Sequence, residues 1–350
     1  MSNNGTNSAT EAGGLAGIHL AAVTDWLQGQ GVPVVPPLSF ELIAGGHSNL
    51  TYRFTDAAGS VRVLRRPPLG NVLESAHDMA REHRIISAVA GTAVPVASAV
   101  ALCTDASVNE APFYIMDYVD GTVLHDAEAA APLSTAQRVA LSERVIDVLV
   151  ALHGLSPDAI GLGQLGRKEA YLARQHKRWN KQWAASKTHE VPEMEAVSEQ
   201  LGRYMPEQLG ASVVHGDYRL GNMMIDGGDI LAVLDWELCT LGDPLADLGY
   251  LLNWWTQPED ENAEAAPTGA GGFLTREAMA ERYAKVSGRD LSEINYYRAF
   301  SHWRLAAIGQ GVYKRYVTGA MGEDHDVDLE AQKEGVQTRA QAALELLNQQ

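Results

Sequence analysis

Three polar side chains in the middle of the chain have the types and the spacing that chemistry would need. Asp217 follows a His-Gly pair, and Asn222 comes after four intervening residues. Asp235 ends the second of two short apolar runs, which are separated by a turn with two glycines. A turn of that composition between apolar runs predicts a β-hairpin. Because a hairpin doubles the chain back, we expect Asp235 to return close to Asn222.

These residue types suit phosphoryl transfer. That reaction needs Mg²⁺ held across the phosphates and a carboxylate aimed at the attacking hydroxyl. Mg²⁺ prefers oxygen ligands, usually one or two carboxylates together with phosphates and water. We therefore predict that Asp217 is the catalytic base and that Asn222 and Asp235 are the metal ligands. Any one of them alone would more often be an ordinary turn or strand-end residue, but the ordered set favours catalysis.

The motif HGDYRLGN followed by VLDWE resembles the aminoglycoside phosphotransferase-like family, whose fold is similar to that of protein kinases. Protein kinases space their base and metal-binding Asn as D-x-x-x-x-N, followed by a metal-binding Asp. The nearest resemblance is to the branch whose members occur alone in bacteria or fused to acyl-CoA dehydrogenases in eukaryotes. It covers most of the chain, from about Phe40 to the final helices.

The resemblance implies a protein-kinase-like, two-lobed α+β fold. A small N-terminal lobe, residues 17–119, would contain an antiparallel sheet and one helix and would cover the nucleotide. A larger, mostly helical C-terminal lobe, residues 120–350, would carry the catalytic groups and bind the acceptor. Residues 1–16 are polar and rich in glycine, which predicts a disordered lead-in.

A glycine-rich turn lies between two predicted strands near the start of the N-terminal lobe. In protein kinases a strand, a glycine-rich turn and a strand cover the ATP phosphates. Gly45 and Gly46 would let the backbone approach the phosphates, and Ser48 and Asn49 could donate hydrogen bonds. Two glycines in a hairpin are weak evidence alone, and their place ahead of the catalytic loop gives them weight.

Arg65 lies in the third predicted strand, where protein kinases have a phosphate-binding Lys. Arg66 is the alternative match. Glu82 falls between Met79 and Ile86 on the apolar face of the next predicted helix. A carboxylate on a packed face needs a partner, so we predict an ion pair with Arg65. Arg presents a planar guanidinium where Lys presents a single point charge. The geometry and the affinity of nucleotide binding therefore do not follow from the protein kinases.

Further expectations follow from the resemblance. Met116 and Tyr118 would lie at the hinge between the lobes, where backbone groups meet the adenine. Asp247 would brace the backbone of the catalytic loop as a structural residue.

Composition singles out two further segments. A basic and aromatic helix at 171–183 could line a site for an anionic acceptor, or it could be a solvated helix with two Trp packed inward. The acidic, glycine-rich segment 257–272 is predicted to be a surface loop able to act as a lid.

Composition excludes several classes of protein. The net charge of −17 repels the phosphate backbone of a nucleic acid, and the sequence contains no basic run that would attract it locally. No apolar segment approaches the length of about 20 residues that spans a bilayer. Two distant cysteines form no disulfide framework, which fits a reducing cytoplasm. We therefore predict a cytoplasmic protein without a nucleic-acid or membrane partner, either a monomer or a homodimer.

The leading hypothesis is a small-molecule kinase that uses ATP with Mg²⁺ and a hydroxyl acceptor, with GTP as the other donor to test. The fused branch suggests a hydroxyacyl compound or its CoA thioester as the acceptor. One alternative is a pseudokinase, a nucleotide-binding module without transfer, because Arg replaces the strand Lys. Another is an aminoglycoside or antibiotic phosphotransferase. A hydrolase is a distant third, since the chain has no G-x-S-x-G elbow, no H-E-x-x-H motif and no G-x-x-x-x-G-K-[ST] loop.

Overall fold

A computed structural model describes residues 15–44, 49–70, 78–320 and 327–349. Their contacts divide the chain into two units. The first unit holds the residues as far as Ala90 together with Val96–Asp120. The second holds Gly91–Pro95 and all described residues from Gly121 onwards.

A five-stranded antiparallel sheet, in the order β1-β2-β3-β5-β4, is the centre of the first unit. Tyr52 and Leu64 pair across β2 and β3 and are buried with Val23 and Leu27 of helix α1. Side chains alternate between faces along a strand, so Arg65 lies on the opposite face from Leu64. The elements of this unit are α1 Leu20–Gly29, β1 Ser39–Ala44, β2 Leu50–Thr55, β3 Val61–Arg66, α2 Met79–Val89, β4 Ala99–Cys103, α3 Ala106–Asn109 and β5 Phe113–Asp117.

The first unit contains more helix than the single one expected for the small lobe. The short helix α3 occupies a segment that reads in sequence as a plain polar connection between strands. It forms because the Asp105 carboxylate accepts the Ser107 N–H at 2.9 Å and caps the first turn. Helix α2 begins at Met79 and is capped by Asp78. The helical spacing in the sequence runs from Leu73 to Ala90, and residues 73–77 lie outside the described residues.

Helices make up most of the second unit, together with two two-stranded antiparallel ribbons, β6 with β9 and β7 with β8. Helix α10 packs against α6, α8 and α11, and α5 packs against α9. The elements are α4 Ala127–Ala130, α5 Thr135–Gly154, α6 Tyr171–Ser186, α7 Pro192–Arg203, β6 Ser212–Val214, β7 Met223–Asp226, β8 Asp229–Val233, β9 Thr240–Gly242, α8 Leu245–Trp254, α9 Arg276–Ser287, α10 Ile294–Val317 and α11 Leu329–Leu347.

Helix α5 shows how the sequence specifies these elements. The Ser134 hydroxyl accepts the Gln137 N–H, and the Ser134 N–H donates to the side-chain oxygen of Gln137, which completes a capping box. The apolar residues Leu141, Val145 and Leu152, which follow one another at helical spacing, are fully buried along one side. In the part of the chain that the structure describes, no helix combines the length and the apolar character needed to cross a membrane.

Candidate active site

The loop between β6 and β7 carries Asp217, and a glycine allows this loop to fold tightly. Gly216 has a φ of +85°, a left-handed conformation that residues with side chains rarely adopt. A Cβ at this position would lie 2.9 Å from the backbone oxygen of Leu238. Any other residue before Asp217 would therefore strain the loop.

Asp247, in the first turn of α8, braces this loop. Its Oδ2 accepts the N–H of His215 at 2.6 Å, and its Oδ1 accepts the N–H of Gly216 at 2.8 Å. Burial acts to raise the pKa of Asp247, but the hydrogen bond from His153 and the neighbouring imidazoles and N–H groups outweigh it and lower that pKa. The structure thus contains the backbone contacts that the sequence assigned to Asp247.

His153 supports Asp247 from helix α5. Its Nε2 lies 3.4 Å from Oδ2 of Asp247, and its Nδ1 lies 2.8 Å from the hydroxyl of Tyr283. Burial lowers the pKa of His153, which keeps the ring neutral at neutral pH. A neutral ring that donates from Nε2 to the carboxylate must accept the Tyr283 hydroxyl at Nδ1. The brace is therefore a buried hydrogen-bonded chain.

His215 connects the loop to the end of β8. The N–H of Asp217 donates to Nδ1 of His215 at 3.2 Å, so the proton of the neutral ring belongs on Nε2. That Nε2 lies 2.9 Å from the carbonyl oxygen of Leu234 and donates to it. The ring is fully buried and packs edge-on against Trp236. One imidazole therefore contacts both Asp217 and the residue before Asp235.

The carboxylate of Asp217 receives three donors. The Asn222 amide donates to Oδ2 at 2.7 Å, while the Arg219 guanidinium, at 3.3 Å, and the Tyr250 hydroxyl donate to Oδ1. Burial and the neighbouring carboxylate raise the pKa of Tyr250, which keeps its hydroxyl protonated as a donor. Asp217 remains 20% exposed. Since a carboxylate oxygen has two lone pairs, Oδ2 can accept one more proton or hydrogen bond.

Asn222 and Asp235 are brought together by the hairpin. Strands β7 and β8 pair antiparallel, as the sequence predicted, and the Leu234 N–H donates to the Asn222 carbonyl at 2.8 Å. Asp235 follows directly, with a φ of +62° that is uncommon for a residue with a side chain. The Asn222 amide nitrogen also donates to the Asp217 carbonyl at 2.9 Å. Both amide hydrogens of Asn222 thus point to Asp217, which leaves its side-chain oxygen as an acceptor for another group.

This pair of side chains fits Mg²⁺. It offers a carboxylate and an amide oxygen, the hard ligands that this ion prefers. Over residues 15–44, 49–70, 78–320 and 327–349, no group of three or more His, Cys, Asp or Glu could hold a metal. Mg²⁺ needs fewer protein ligands than such a group supplies, because phosphates and water complete its coordination.

Sequence reasoning missed Tyr250, although helix α8 carried a signal for it. Asp247, Tyr250 and Trp254 follow at intervals of three and four residues and therefore share one face of α8. That face meets the catalytic loop, since Asp247 binds its backbone and Tyr250 binds the Asp217 carboxylate. Given the assignment of Asp247, helical periodicity could have identified the other two.

Arg304 of α10 is a second residue that sequence reasoning missed. Its Nη2 donates to the carbonyl oxygen of Gly216 at 2.8 Å, across a separation of 88 residues. Its guanidinium lies 5.7 Å from the ring centre of Trp179 and 5.5 Å from that of Tyr250, within cation–π range. Trp179 belongs to the basic and aromatic helix singled out in the sequence, whereas Trp183 of that helix is buried. No local pattern signals so distant a contact.

In the first unit, Arg65 and Glu82 form the predicted ion pair. Arg65 Nε lies 3.2 Å from Glu82 Oε1, and the two side chains are 12% and 3% exposed. The alternative, Arg66, donates instead to the carbonyl oxygens of Gly17 at 2.6 Å and Asn109 at 3.1 Å. The structure therefore favours Arg65 over Arg66 as the basic residue paired with the helix.

The other residues predicted to bind the nucleotide belong to the same half of the sequence. Asn49 is buried directly before β2. Met116 is buried on β5, and Tyr118 follows that strand with the guanidinium of Arg53 5.2 Å from its ring centre. Gly45, Gly46 and Ser48 lie outside the described residues. The nucleotide-binding roles of all of these residues stay predictions.

A family model described as the phosphotransferase enzyme family matches residues 39–282. The chain belongs to this family. The match confirms the predicted family and enzyme class. The chain is also 36% identical over 306 residues to mouse acyl-CoA dehydrogenase family member 10, which covers 85% of this chain and 28% of that protein. The chain thus spans less than a third of that relative's length. This relative belongs to the predicted branch.

Solved structures show the same architecture. A candidate aminoglycoside phosphotransferase of Ralstonia eutropha JMP134 is 34% identical with a TM-score of 0.81, covering 94% of this chain and 98% of that one. A thermostable mutant of APH(4)-Ia, in ternary complex with AMP-PNP and hygromycin B, is 16% identical with a TM-score of 0.60, covering 93% and 98%. The second likeness is one of fold alone. Together with the antiparallel sheet and the helical second unit, they confirm the predicted fold class.

Proposed function

We propose that this protein is a Mg²⁺-dependent kinase that transfers the γ-phosphoryl group of ATP to a hydroxyl group of a small acceptor. The observation that carries the proposal is the Asp217 carboxylate, held by donors on both oxygens beside the Asn222–Asp235 pair. Membership of the phosphotransferase family supports phosphoryl transfer. The AMP-PNP bound by APH(4)-Ia supports an adenine nucleotide, and GTP is the other donor to test.

Asp217 would act as the base. Its carboxylate would accept the proton of the acceptor hydroxyl while the hydroxyl oxygen forms a bond to the γ-phosphorus and the bond from that phosphorus to the leaving ADP breaks. Oδ2 suits this step better than Oδ1, because Oδ1 already accepts from Arg219 and Tyr250. The same donors hold the plane of the carboxylate in one orientation, which reduces the reorganisation that the reaction requires.

Asn222 and Asp235 would hold the metal. When bound, Mg²⁺ would supply positive charge to offset that of the nucleotide phosphates. The Asn222 amide nitrogen is committed to Asp217, so its oxygen is the atom left for the metal. One side chain therefore orients the base and supplies a metal ligand.

Residues of the predicted N-terminal lobe would bind the nucleotide. Arg65, held in place by Glu82, would present its planar guanidinium to phosphate oxygens. Backbone amides on a glycine-rich turn would contact the phosphates, and backbone groups near the end of β5 would contact the adenine. The residues we assign to these contacts are Gly45, Gly46, Ser48 and Asn49 for the phosphates and Met116 and Tyr118 for the adenine.

The acceptor we propose is a hydroxyacyl compound, free or as its CoA thioester. The mouse relative is named as an acyl-CoA dehydrogenase family member, which motivates the acyl group. Arg219 and Arg304 both contact the loop of Asp217 and offer positive charge to an acidic acceptor. A polycationic aminoglycoside is the rival acceptor, because the net charge of −17 would attract it.

A nucleotide-binding module without transfer is the second candidate. The observation that favours it is Arg65 at the strand position where protein kinases have Lys. Such a module would bind ATP and release no ADP with any acceptor. The enzyme is favoured over the module by the complete set of a base and two metal ligands, Asp217, Asn222 and Asp235, which lie on one loop and its hairpin.

The test is ADP release with free hydroxy acids and their CoA thioesters, each of several chain lengths, and with hygromycin B as the rival acceptor. Native protein is compared with Asp217→Asn and with Asp226→Asn, an exposed hairpin carboxylate that serves as the control. Loss of a general base should lower turnover about 10²- to 10⁴-fold while ATP affinity stays near native. Native-like turnover in Asp217→Asn would contradict the assignment. ATP binding without ADP release from every acceptor would establish the module instead.

A further inference from the structure

Helices α10 and α11 pack against each other but leave an open slot between them. The slot has a volume of about 380 Å³, and its walls include Leu305, Ile308, Gly309, Gly335, Val336 and Arg339. Among the described residues, no atom lies within 4 Å of the position that a Cβ on Gly335 would occupy. The space is therefore open where an ordinary helix interface would be filled by side chains.

The shape of the slot suits an extended aliphatic chain. The lining positions of α11 run from Ala331 to Arg339 at helical spacing along one face. At 1.5 Å of rise per residue this face is about 12 Å long. Its side walls are aliphatic, with Leu305 and Ile308 on one helix and Val336 on the other. The lining of the slot is thus mainly aliphatic, with Gln332 as its uncharged polar residue.

Arg339 is the charged residue at one end of the slot. Burial lowers the pKa of Arg339, and the Tyr250 phenol is the neighbour that opposes this effect. Among the residues that the structure describes, no carboxylate forms an ion pair with Arg339. A cation withdrawn from water without a counter-ion is costly, and a bound anion would offset that cost.

His302 lies close to the same end. Its Nδ1 is buried and has no hydrogen-bond partner among the described residues. Burial, reinforced by the positive charge of Arg339 and neighbouring arginines, lowers the pKa of His302 to about 3. The positive charge at this end of the slot is therefore that of Arg339, beside an imidazole that stays neutral.

The cationic end of the slot adjoins the candidate active site. The Arg339 guanidinium lies 5.6 Å from the ring centre of Trp254, and that of Arg219 lies 5.1 Å from the same ring. Arg219 in turn donates to Asp217 at 3.3 Å. A single indole therefore separates the end of the slot from the residue that contacts the proposed base.

We propose that this slot binds the aliphatic chain of the acceptor and that Arg339 binds its carboxyl oxygens. The ligand class is a medium-chain aliphatic carboxylate that carries a hydroxyl group. The identification of this ligand as the acceptor rests on the proposed kinase function; the slot as a carboxylate site does not. The arrangement directs the carboxyl end of the molecule towards Asp217 and the rest of the chain away from it, so the phosphorylated hydroxyl lies near the carboxyl end.

The test uses octanoate as the probe and calorimetry as the readout, on the whole chain without nucleotide. Gly335→Leu fills the slot from within α11, and Leu also favours a helix more than Gly does. Gly335→Ala is the matched control, because it also raises the helix propensity of the position but adds only a methyl group to the slot. Arg339→Gln removes the charge and keeps most of the side-chain volume. Circular dichroism and thermal unfolding establish that each variant is folded.

We expect native protein and Gly335→Ala to bind octanoate with affinities within about threefold of each other. Gly335→Leu and Arg339→Gln should each weaken binding by about tenfold or more. Octanol, which has the same chain without the charge, should bind native protein and Arg339→Gln equally. If Gly335→Leu proves unfolded, Ala331→Leu at the other end of the slot replaces it.

Two results would overturn the slot proposal: octanoate fails to bind native protein, or it binds Gly335→Leu and Arg339→Gln as tightly as native. The proposed kinase function can fail separately. Octanoate binding that depends on Gly335 and Arg339, in a protein that transfers phosphate to no hydroxyacyl compound, would support the slot as a carboxylate site and refute the hydroxyacyl acceptor; ADP release from no acceptor at all would refute the kinase.

Discussion

Replacing Asp247 with Asn tests whether a buried carboxylate holds the catalytic loop in place. In the native protein Oδ1 accepts from Gly216, while Oδ2 accepts from the His215 N–H and from the His153 ring. An Asn side chain is nearly isosteric but offers one oxygen and one NH₂ group. At least one backbone N–H of the loop would then face a donor instead of an acceptor.

The expected cost follows from these contacts. A buried N–H left without an acceptor costs about 1–3 kcal/mol, and the remaining hydrogen bond loses about 1 kcal/mol when its acceptor is no longer charged. Together the substitution should destabilise the closed loop by about 2–4 kcal/mol. Because 1.4 kcal/mol corresponds to a factor of ten, loop amides that exchange by local opening should exchange about 30- to 700-fold faster.

Hydrogen exchange measured by mass spectrometry, on peptides that cover His215 to Tyr218, reads this effect directly. Peptides from β1 and β2 in the first unit should keep native exchange rates, which separates local opening from global unfolding. Asp226→Asn, at the exposed hairpin turn, is the control substitution. Native exchange at His215 and Gly216 in Asp247→Asn would show that the carboxylate does not brace the loop.

Two further predictions concern stability. Glu82→Gln should reduce the free energy of unfolding by about 3 kcal/mol in urea, because it removes the buried anion that pairs with Arg65, whose side chain is only 12% exposed; a loss below about 1 kcal/mol would contradict a strong ion pair. Burial, with the charge of nearby arginines, lowers the pKa of His302 from 6.5 to about 3. Between these two pH values the unfolded chain binds a proton that the folded protein does not. The free energy of unfolding therefore falls as the pH falls. His302→Gln should therefore lose about 2 kcal/mol less than native between pH 7 and pH 5, and equal losses would refute the buried neutral ring.

The parts of the site that sequence could predict are those that local geometry determines. Asp217, Asn222 and Asp235 lie within one short segment, and a glycine-containing turn between apolar runs was enough to bring Asp235 back to Asn222. Arg65 and Glu82 are further apart, but strand alternation and helix periodicity each determined which face they occupy. The choice of Arg65 as the partner of Glu82 rested on the resemblance to the strand Lys and helix Glu of protein kinases, and the structure contains that pair.

The parts that sequence could not predict depend on how distant helices pack. Arg304 reaches Gly216 only because α10 packs against α8, and no pattern near either residue signals that contact. His215 reads in sequence as part of a motif, while its role in joining Asp217 to Leu234 depends on the return of the hairpin. The short helix α3 was missed because its cap, Asp105, lies in a polar stretch that also suits a loop.

The central claim is that Asn222 and Asp235 hold a metal for a nucleotide, beside the base Asp217. Calorimetry of ATP and GTP binding, with and without Mg²⁺, tests it most directly on native protein, on Asp235→Asn and on the control Asp226→Asn. We expect ATP binding that Mg²⁺ strengthens in native protein and in the control, and that Asp235→Asn weakens only when Mg²⁺ is present. Mg²⁺-dependent binding that Asp235→Asn leaves unchanged, or no binding of either nucleotide to native protein, would contradict the claim.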